Sequence, residues 1–208
     1  MIPVQPGKIV GVGRNYLEHA RELGNEVPPE PLIFLKPTTA LLEPGGTILL
    51  PRVSKQVEFE AEIGVVIGRR LRHAGPDEAE AGIAGYTCVN DVTCRDLQRA
   101  DGQWTRAKGF DTFCPVGPRV AAGLDWRGLE LRCRVNGVER QRARAADMHF
   151  SIPVLVSYIS GIMTLEPGDL IATGTPAGTA PLKDGDVVEV EISGVGVLSN
   201  PVRSENGR

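Results

Sequence analysis

What the chain has little of narrows its chemistry first. It carries only three histidines, His19, His73 and His149, far apart in sequence, and its four cysteines, Cys88, Cys94, Cys114 and Cys133, show no CxxC spacing. A zinc cluster and a disulfide framework are therefore not expected, and the thiols read as small buried hydrophobes. No apolar run approaches the roughly 18 residues that a membrane span needs. Nucleic acid usually demands a clustered basic surface, whereas here 23 Lys and Arg stand against 26 Asp and Glu, a net charge of −3. The first residues, MIPVQPGK, have neither the basic start nor the apolar stretch of a secretory signal. A cytoplasmic protein with no membrane or nucleic-acid partner is the expectation.

Glycine and proline, by contrast, are plentiful, with 25 and 16 copies that punctuate short apolar runs such as LIFL, TILLP, EIGVVIG, DLIATG and DVVEVEI. Many short strands and few helices follow, an α+β, β-rich class. Asn136-Gly137 lies between alternating residues and marks a tight hairpin, because such a turn needs residues that tolerate positive φ. KDGD at Lys183–Asp186 reads as a turn opening a final strand. Helices are expected from Asn15 to Leu23 and from Pro153 to Ile162, with Pro153 in a first-turn position. EVPPEP, Glu26–Pro31, reads as a loop, and AGPDEAEAG, Ala74–Gly82, as a surface connection with a short helix. Strands do not alternate regularly with helices, which disfavours a doubly wound sheet. GVGRNY lacks the third glycine of a dinucleotide-binding GxGxxG, so its glycines read as letting the chain turn.

VEFEAEIGVVIG, Val57 to Gly68, starts in strict alternation, with Phe59, Ala61 and Ile63 on one face and Glu58, Glu60 and Glu62 on the other. It continues through Val65, Val66 and Ile67 without polar relief, as a strand covered on both faces would, so the later glutamates are expected to be buried. Asp91 likewise interrupts an apolar run containing Tyr86, Cys88, Val89 and Val92. Buried carboxylates close together repel one another unless a cation intervenes. Oxygen ligands without a His or Cys cluster favour a hard ion, magnesium first, manganese or calcium next. Salt bridges and a solvated acidic face form the competing reading. Lys108 is either a snorkelling surface side chain or a cation facing an anionic substrate. TGTPAG, Thr173–Gly178, is either a plain turn or an anion-binding cluster of amides and hydroxyls.

Taken in order, GRNYLEHARE, PLIFLKP, VEFEAEIGVVIG, NDVTCRDLQ, AKGFDTFCPVGP, ADM and TGTPAG make the chain resemble the fumarylacetoacetate hydrolase family along nearly its whole length. The likeness is to the single-domain group of acylpyruvases and oxaloacetate decarboxylases. It implies one catalytic domain over residues 1–208, similar to the family's C-terminal domain. That domain is a mixed β roll or barrel with few short helices: an N-terminal segment, 1–45, carrying a lid helix at about 15–23, and a β-rich metal-binding core, 46–208. It further implies Glu60, Glu62 and Asp91 as ligands of Mg2+ (Mn2+ or Ca2+ as alternatives), with Glu58 a flanking residue. Lys108 would stand beside the metal, Thr175 would help hold a substrate carboxylate, and Arg14, Arg95 and Gln98 would line the site. For Arg95 and Asp96 a structural ion pair is the competing reading. His19 and Glu22, neighbours on one helical face at i,i+3, would be the catalytic pair. No organic cofactor is implied, and a homodimer is.

The implied activity is magnesium-dependent C–C cleavage of small 2-oxo acids through a metal-chelated pyruvate enolate, as an acylpyruvate hydrolase, an oxaloacetate decarboxylase, or both. The alternative is isomerisation of 2-hydroxyhepta-2,4-diene-1,7-dioate or decarboxylation of 5-oxopent-3-ene-1,2,5-tricarboxylate in aromatic catabolism. A non-catalytic ligand-binding relative is a further alternative.

Overall fold

The computed structural model describes residues 4–22, 24 and 28–205. In the first half of the chain the strands are β1 (Ile9–Gly13), β2 (Leu32–Lys36), β3 (Leu41–Leu42), β4 (Ile48–Leu50), β5 (Val57–Glu58), β6 (Ala61–Ile67) and β7 (Ile83–Asn90). The second half supplies β8 (Thr93–Cys94), β9 (Cys114–Ala121), β10 (Glu130–Val135), β11 (Val138–Arg144), β12 (Leu170–Ala172), β13 (Val187–Ile192) and β14 (Gly196–Ser204). Among the described residues five short α-helices accompany them: α1 (Leu17–Glu22), α2 (Pro76–Ala81), α3 (Arg95–Asp101), α4 (Thr105–Lys108) and α5 (Ile152–Ile162). A seven-stranded sheet runs β2-β1-β12-β6-β7-β9-β3, a five-stranded sheet runs β11-β10-β13-β14-β4, and β5 pairs with β8. Both larger sheets mix parallel and antiparallel neighbours: β1 lies parallel to β12 and β14 parallel to β4, while β6 is antiparallel to β7. This is the mixed, β-rich α+β class read from the sequence.

Every residue of β6 is buried. Ala61, Ile63, Val65 and Ile67 enter the main core together with Val188, Val190 and Ile192 of the five-stranded sheet. Val66, of opposite parity, joins Val89, Leu170 and Ala172 in a second cluster. Both faces of the strand are thus covered, which is why its apolar run lacks polar relief. Glu62 shares the parity of Val66 and is drawn into the interior by the strand that carries it.

The hairpin turns at Asn136 (φ 53) and Gly137 (φ 77), between the paired Val135 and Val138, as a two-residue loop requires. Helix α5 buries Ile152, Leu155, Val156 and Ile159, a stripe of helical period, and has Pro153 in its first turn.

Three expectations are corrected. KDGD opens β13, but β14 follows it in an antiparallel pair, because Gly194 (φ 76) turns the chain inside what reads as one continuous run. Helix α1 starts at Leu17 rather than Asn15. Asn15 is fully buried and spends its side chain on tertiary hydrogen bonds, donating to Thr173 O (2.8 Å) and accepting from Phe150 N–H (2.8 Å). Gly11 and Gly13 do not turn the chain, since both lie within β1. Leu23, at the expected end of α1, and Glu26 and Val27 of the EVPPEP loop lie outside the described residues.

Candidate active site

The chain passes from β5 to β6 through Phe59 and Glu60, and Asp91 follows directly on β7. The register of β6 against β7 pairs Ala61 with Asn90, so the two ends meet. Asp91 N–H donates to Glu60 O at 2.8 Å, and Asn90 Oδ1 accepts Glu60 N–H at 3.0 Å. Two backbone segments far apart in sequence are locked side by side. As a result Glu60, Glu62 and Asp91, each 5% exposed or less, can bring one carboxylate oxygen apiece within 4.8 Å of the others. Glu58 is buried as well, which excludes a solvated acidic face.

Cations compensate two members of the trio and not the third. Lys108, on α4 and 2% exposed, donates from Nζ to Glu60 Oε2 at 2.6 Å and also to Asp91 Oδ2. It is not a snorkelling side chain. Lys36, at the end of β2, takes the other Asp91 oxygen at 2.6 Å, and Arg95 donates to Glu60 Oε1 at 2.7 Å. Among the described residues Glu62 has no ion pair and accepts only Gly174 N–H, at 2.8 Å. Burial would raise the Glu60 carboxyl, but the adjacent Lys108 and Arg95 charges outweigh it and hold Glu60 well below the usual carboxylate range. Burial and then the Asp91 and Glu60 charges push Glu62 well above it. An oxygen-only cluster with one carboxylate lacking a cation fits a hard divalent ion.

A cavity of about 750 Å³ opens over Glu60, Glu62 and Lys108 and is also lined by Arg14, Arg95, Gln98, Thr175 and His19. Asp91 does not reach this lining. Leu32, Ile33, Phe34 and Trp104 supply apolar wall. The two glycines of β1 make room for that wall. A Cβ on Gly11 would sit 2.2 Å from the Phe34 ring, and one on Gly13 would sit 2.7 Å from Trp104. Phe34 in turn meets Trp104 edge-on with ring centroids 5.3 Å apart and lies 5.0 Å from Lys108 Nζ.

His19 is buried, at 4% exposed, and its Nδ1 lies 3.2 Å from Glu22 Oε2. Glu22 also accepts Gly178 N–H at 3.2 Å, which ties α1 to the TGTPAG loop. Thr175 donates its hydroxyl to Ala61 O (2.9 Å) and accepts from Gln141 Nε2 (2.8 Å). Arg95 pairs with glutamates rather than with Asp96, which instead accepts from Ser54 Oγ at 2.6 Å.

Sequence reasoning missed Lys36, Gln141 and the aromatic wall. Lys36 stands within PLIFLKP, yet nothing in a lysine before a proline signals a side chain with 0% exposure. Gln141 is the only buried residue of the edge strand β11, where its neighbours are charged, so no apolar pattern marks it.

Residues 8–203 match the family described as Fumarylacetoacetate (FAA) hydrolase C-terminal. Two similar curated proteins are the mitochondrial oxaloacetate tautomerase FAHD1 of Arabidopsis thaliana, 47% identical over 92% of this chain and 88% of that protein, and the mitochondrial oxaloacetate decarboxylase of Dictyostelium discoideum, 45% identical over 90% and 89%. Among solved structures, the 2-hydroxyhepta-2,4-diene-1,7-dioate isomerase from Mycobacterium marinum superposes with a TM-score of 0.92 at 47% identity, covering 99% of this chain and 78% of that one. The fumarylpyruvate hydrolase from Pseudomonas aeruginosa, in complex with Mn2+ and pyruvate, gives a TM-score of 0.91 at 32% identity, covering 97% and 91%.

Proposed function

The chain belongs to the fumarylacetoacetate hydrolase family, whose named members are enzymes, and from that membership we propose that it cleaves the C–C bond beyond C3 of small 2-oxo acids, as an acylpyruvate hydrolase, an oxaloacetate decarboxylase or both. The observation that carries the proposal is a cavity lined by Glu60, Glu62, Lys108 and His19, with Asp91 buried against the two glutamates and Glu22 hydrogen-bonded to the histidine. The trio would hold a divalent ion, proposed to be magnesium, which when bound supplies Lewis acidity toward the carboxylate and keto oxygens of a 2-oxo acid. A relative solved with Mn2+ and pyruvate supports that pairing of ion and ligand class.

The remaining steps belong to the side chains. Arg95, Gln98 and Arg14 present donors to the substrate carboxylate, and the Leu32–Phe34 and Trp104 wall restricts water around it. Thr175 contributes through its place beside Ala61, since its hydroxyl is already committed there. With Nδ1–H turned to Glu22, His19 has a free Nε2 lone pair and can take a proton from water. That water attacks the distal acyl carbonyl, the C3–C4 bond breaks, and a carboxylic acid and pyruvate enolate result. Oxaloacetate yields the same enolate by losing carbon dioxide without water. In either reaction the Lys108 ammonium stabilises the growing negative charge.

The isomerase reading has the support of the Mycobacterium marinum relative and needs the same proton relay without hydrolysis. We propose a cytoplasmic homodimer with one catalytic domain as the working form. Turnover of acetylpyruvate, oxaloacetate and 2-hydroxyhepta-2,4-diene-1,7-dioate by the purified protein with added Mg2+ or Mn2+ tests the reading. Cleavage of at least one of the first two is expected, whereas isomerisation of the third alone would replace it with the isomerase.

A further inference from the structure

Glu58 is 5% exposed and does not line the cavity, yet it is one of four carboxylates buried with Lys36, Arg95 and Lys108. Its Oε2 accepts Arg95 Nε–H at 2.8 Å, and its Oε1 accepts from Gln56 Nε2 at 2.7 Å. Gln56 Oε1 in turn accepts from Arg99 at 2.7 Å, so the second carboxylate oxygen is anchored through Gln56. Arg95 is thereby held on three sides: Nε on Glu58, Nη1 on Gln98 Oε1 (2.7 Å) and Nη2 on Glu60 Oε1 (2.7 Å). A guanidinium has five N–H donors in a rigid plane, so fixing three directions fixes where the others point.

The geometry points to Glu58 as the positioning residue for Arg95. A guanidinium with its Nε–H unclaimed can turn its side edge onto one carboxylate and form a bidentate pair. The nearest carboxylate for that closure is Glu60, whose other oxygen is already held by Lys108. Glu58 competes for the Nε–H and limits Arg95 to a single hydrogen bond with Glu60. Its negative charge also leaves the buried carboxylates outnumbering the buried cations, which favours uptake of a metal ion. Without Glu58 the arginine would cover a metal ligand and cease to face the cavity. The inference rests on the proposed roles of Glu60 as a metal ligand and Arg95 as a substrate contact.

The test uses the full chain as wild type, Glu58→Gln, Glu58→Asp, Arg95→Met and the Glu58→Gln/Arg95→Met double variant. In 15N-arginine-labelled protein without metal, wild type is expected to show a slowly exchanging Nε–H resonance that vanishes in Arg95→Met, which assigns it. Glu58→Gln should exchange it rapidly, and Glu58→Asp should restore part of the protection. In Mn2+-loaded protein, binding of oxalate, an unreactive two-oxygen chelator, should weaken about tenfold in Glu58→Gln, with no further loss when that change is added to Arg95→Met. Slow exchange retained in Glu58→Gln, or the same tenfold loss in the Arg95→Met background, overturns the assignment. Should wild type fail to bind Mn2+, the proposed function falls while the exchange experiment still decides the role of Glu58. If Glu58→Gln does not fold, Glu58→Asp carries the comparison, with exchange between that of wild type and free arginine expected and wild-type exchange contradicting the role.

Discussion

Glu62 and Glu60 sit two residues apart on one chain segment and behave oppositely because of which side chains face them. Glu60 is bracketed by Lys108 and Arg95, whereas Glu62 receives one backbone amide. His19 differs again, as a buried imidazole beside Glu22 whose proposed role is proton transfer rather than charge balance. His19→Ala is therefore expected to lower acetylpyruvate hydrolysis about a hundredfold or more and to spare oxaloacetate decarboxylation in comparison. Equal loss of both, measured as kcat/KM at saturating metal, would sink the water-activating role. Away from the cavity, Asp96 offers a test of pH dependence. Burial raises its carboxyl, but hydrogen bonds from Ser54 and from the Lys55 and Leu97 amides together outweigh this and hold it below the usual carboxylate value. A depressed folded pKa means that the stabilisation is complete above the unfolded value, about 3.9, and disappears as pH falls through the folded value. Asp96→Asn should thus destabilise the protein more at pH 7 than at pH 3, read from urea midpoints at both. A gap that stays constant or widens on acidification contradicts this.

At the scale of elements, the cavity depends on β1 having no side chains where Phe34 and Trp104 pack. Gly11→Val would force the Phe34 ring aside, with an overpacking cost of about 1–3 kcal/mol and weaker contact between that ring and Lys108. Urea denaturation showing less than about 0.5 kcal/mol of change would mean that the close approach is unimportant. This feature also marks a limit of reading strands from composition. Gly11 and Gly13 look like a turn because glycine usually breaks a strand, but the constraint comes from Phe34 of β2 and from Trp104, the residue before α4, which sequence proximity does not reveal. Asn136-Gly137 was legible because both residues of the turn are local to it. The burial of Glu60 and Glu62 was legible for a similar reason, since the alternation of Val57–Gly68 runs into an unrelieved apolar stretch. Lys36 and Gln141 were not, because each acts on a residue more than 30 positions away, Asp91 and Thr175 respectively.

Across the whole molecule, three carboxylates reach one point only because β6 and β7 pair in a fixed register and the TGTPAG loop closes over Glu62. The family was legible from the order of motifs and the β-rich class from the short apolar runs between glycines and prolines, while the compensation pattern, two carboxylates paired and one not, needed coordinates. A site assembled from distant segments binds an ion well when folded and poorly when not, so the ion should stabilise the fold as well as activate it. The most direct test of the central claim is turnover of acetylpyruvate and oxaloacetate by chelator-stripped protein before and after stepwise addition of Mn2+, for wild type and Glu60→Ala. The account predicts no turnover in the stripped enzyme, recovery with one equivalent of ion in wild type together with a raised Tm, and no recovery in Glu60→Ala. Undiminished turnover after chelation, or full recovery in Glu60→Ala, would contradict it.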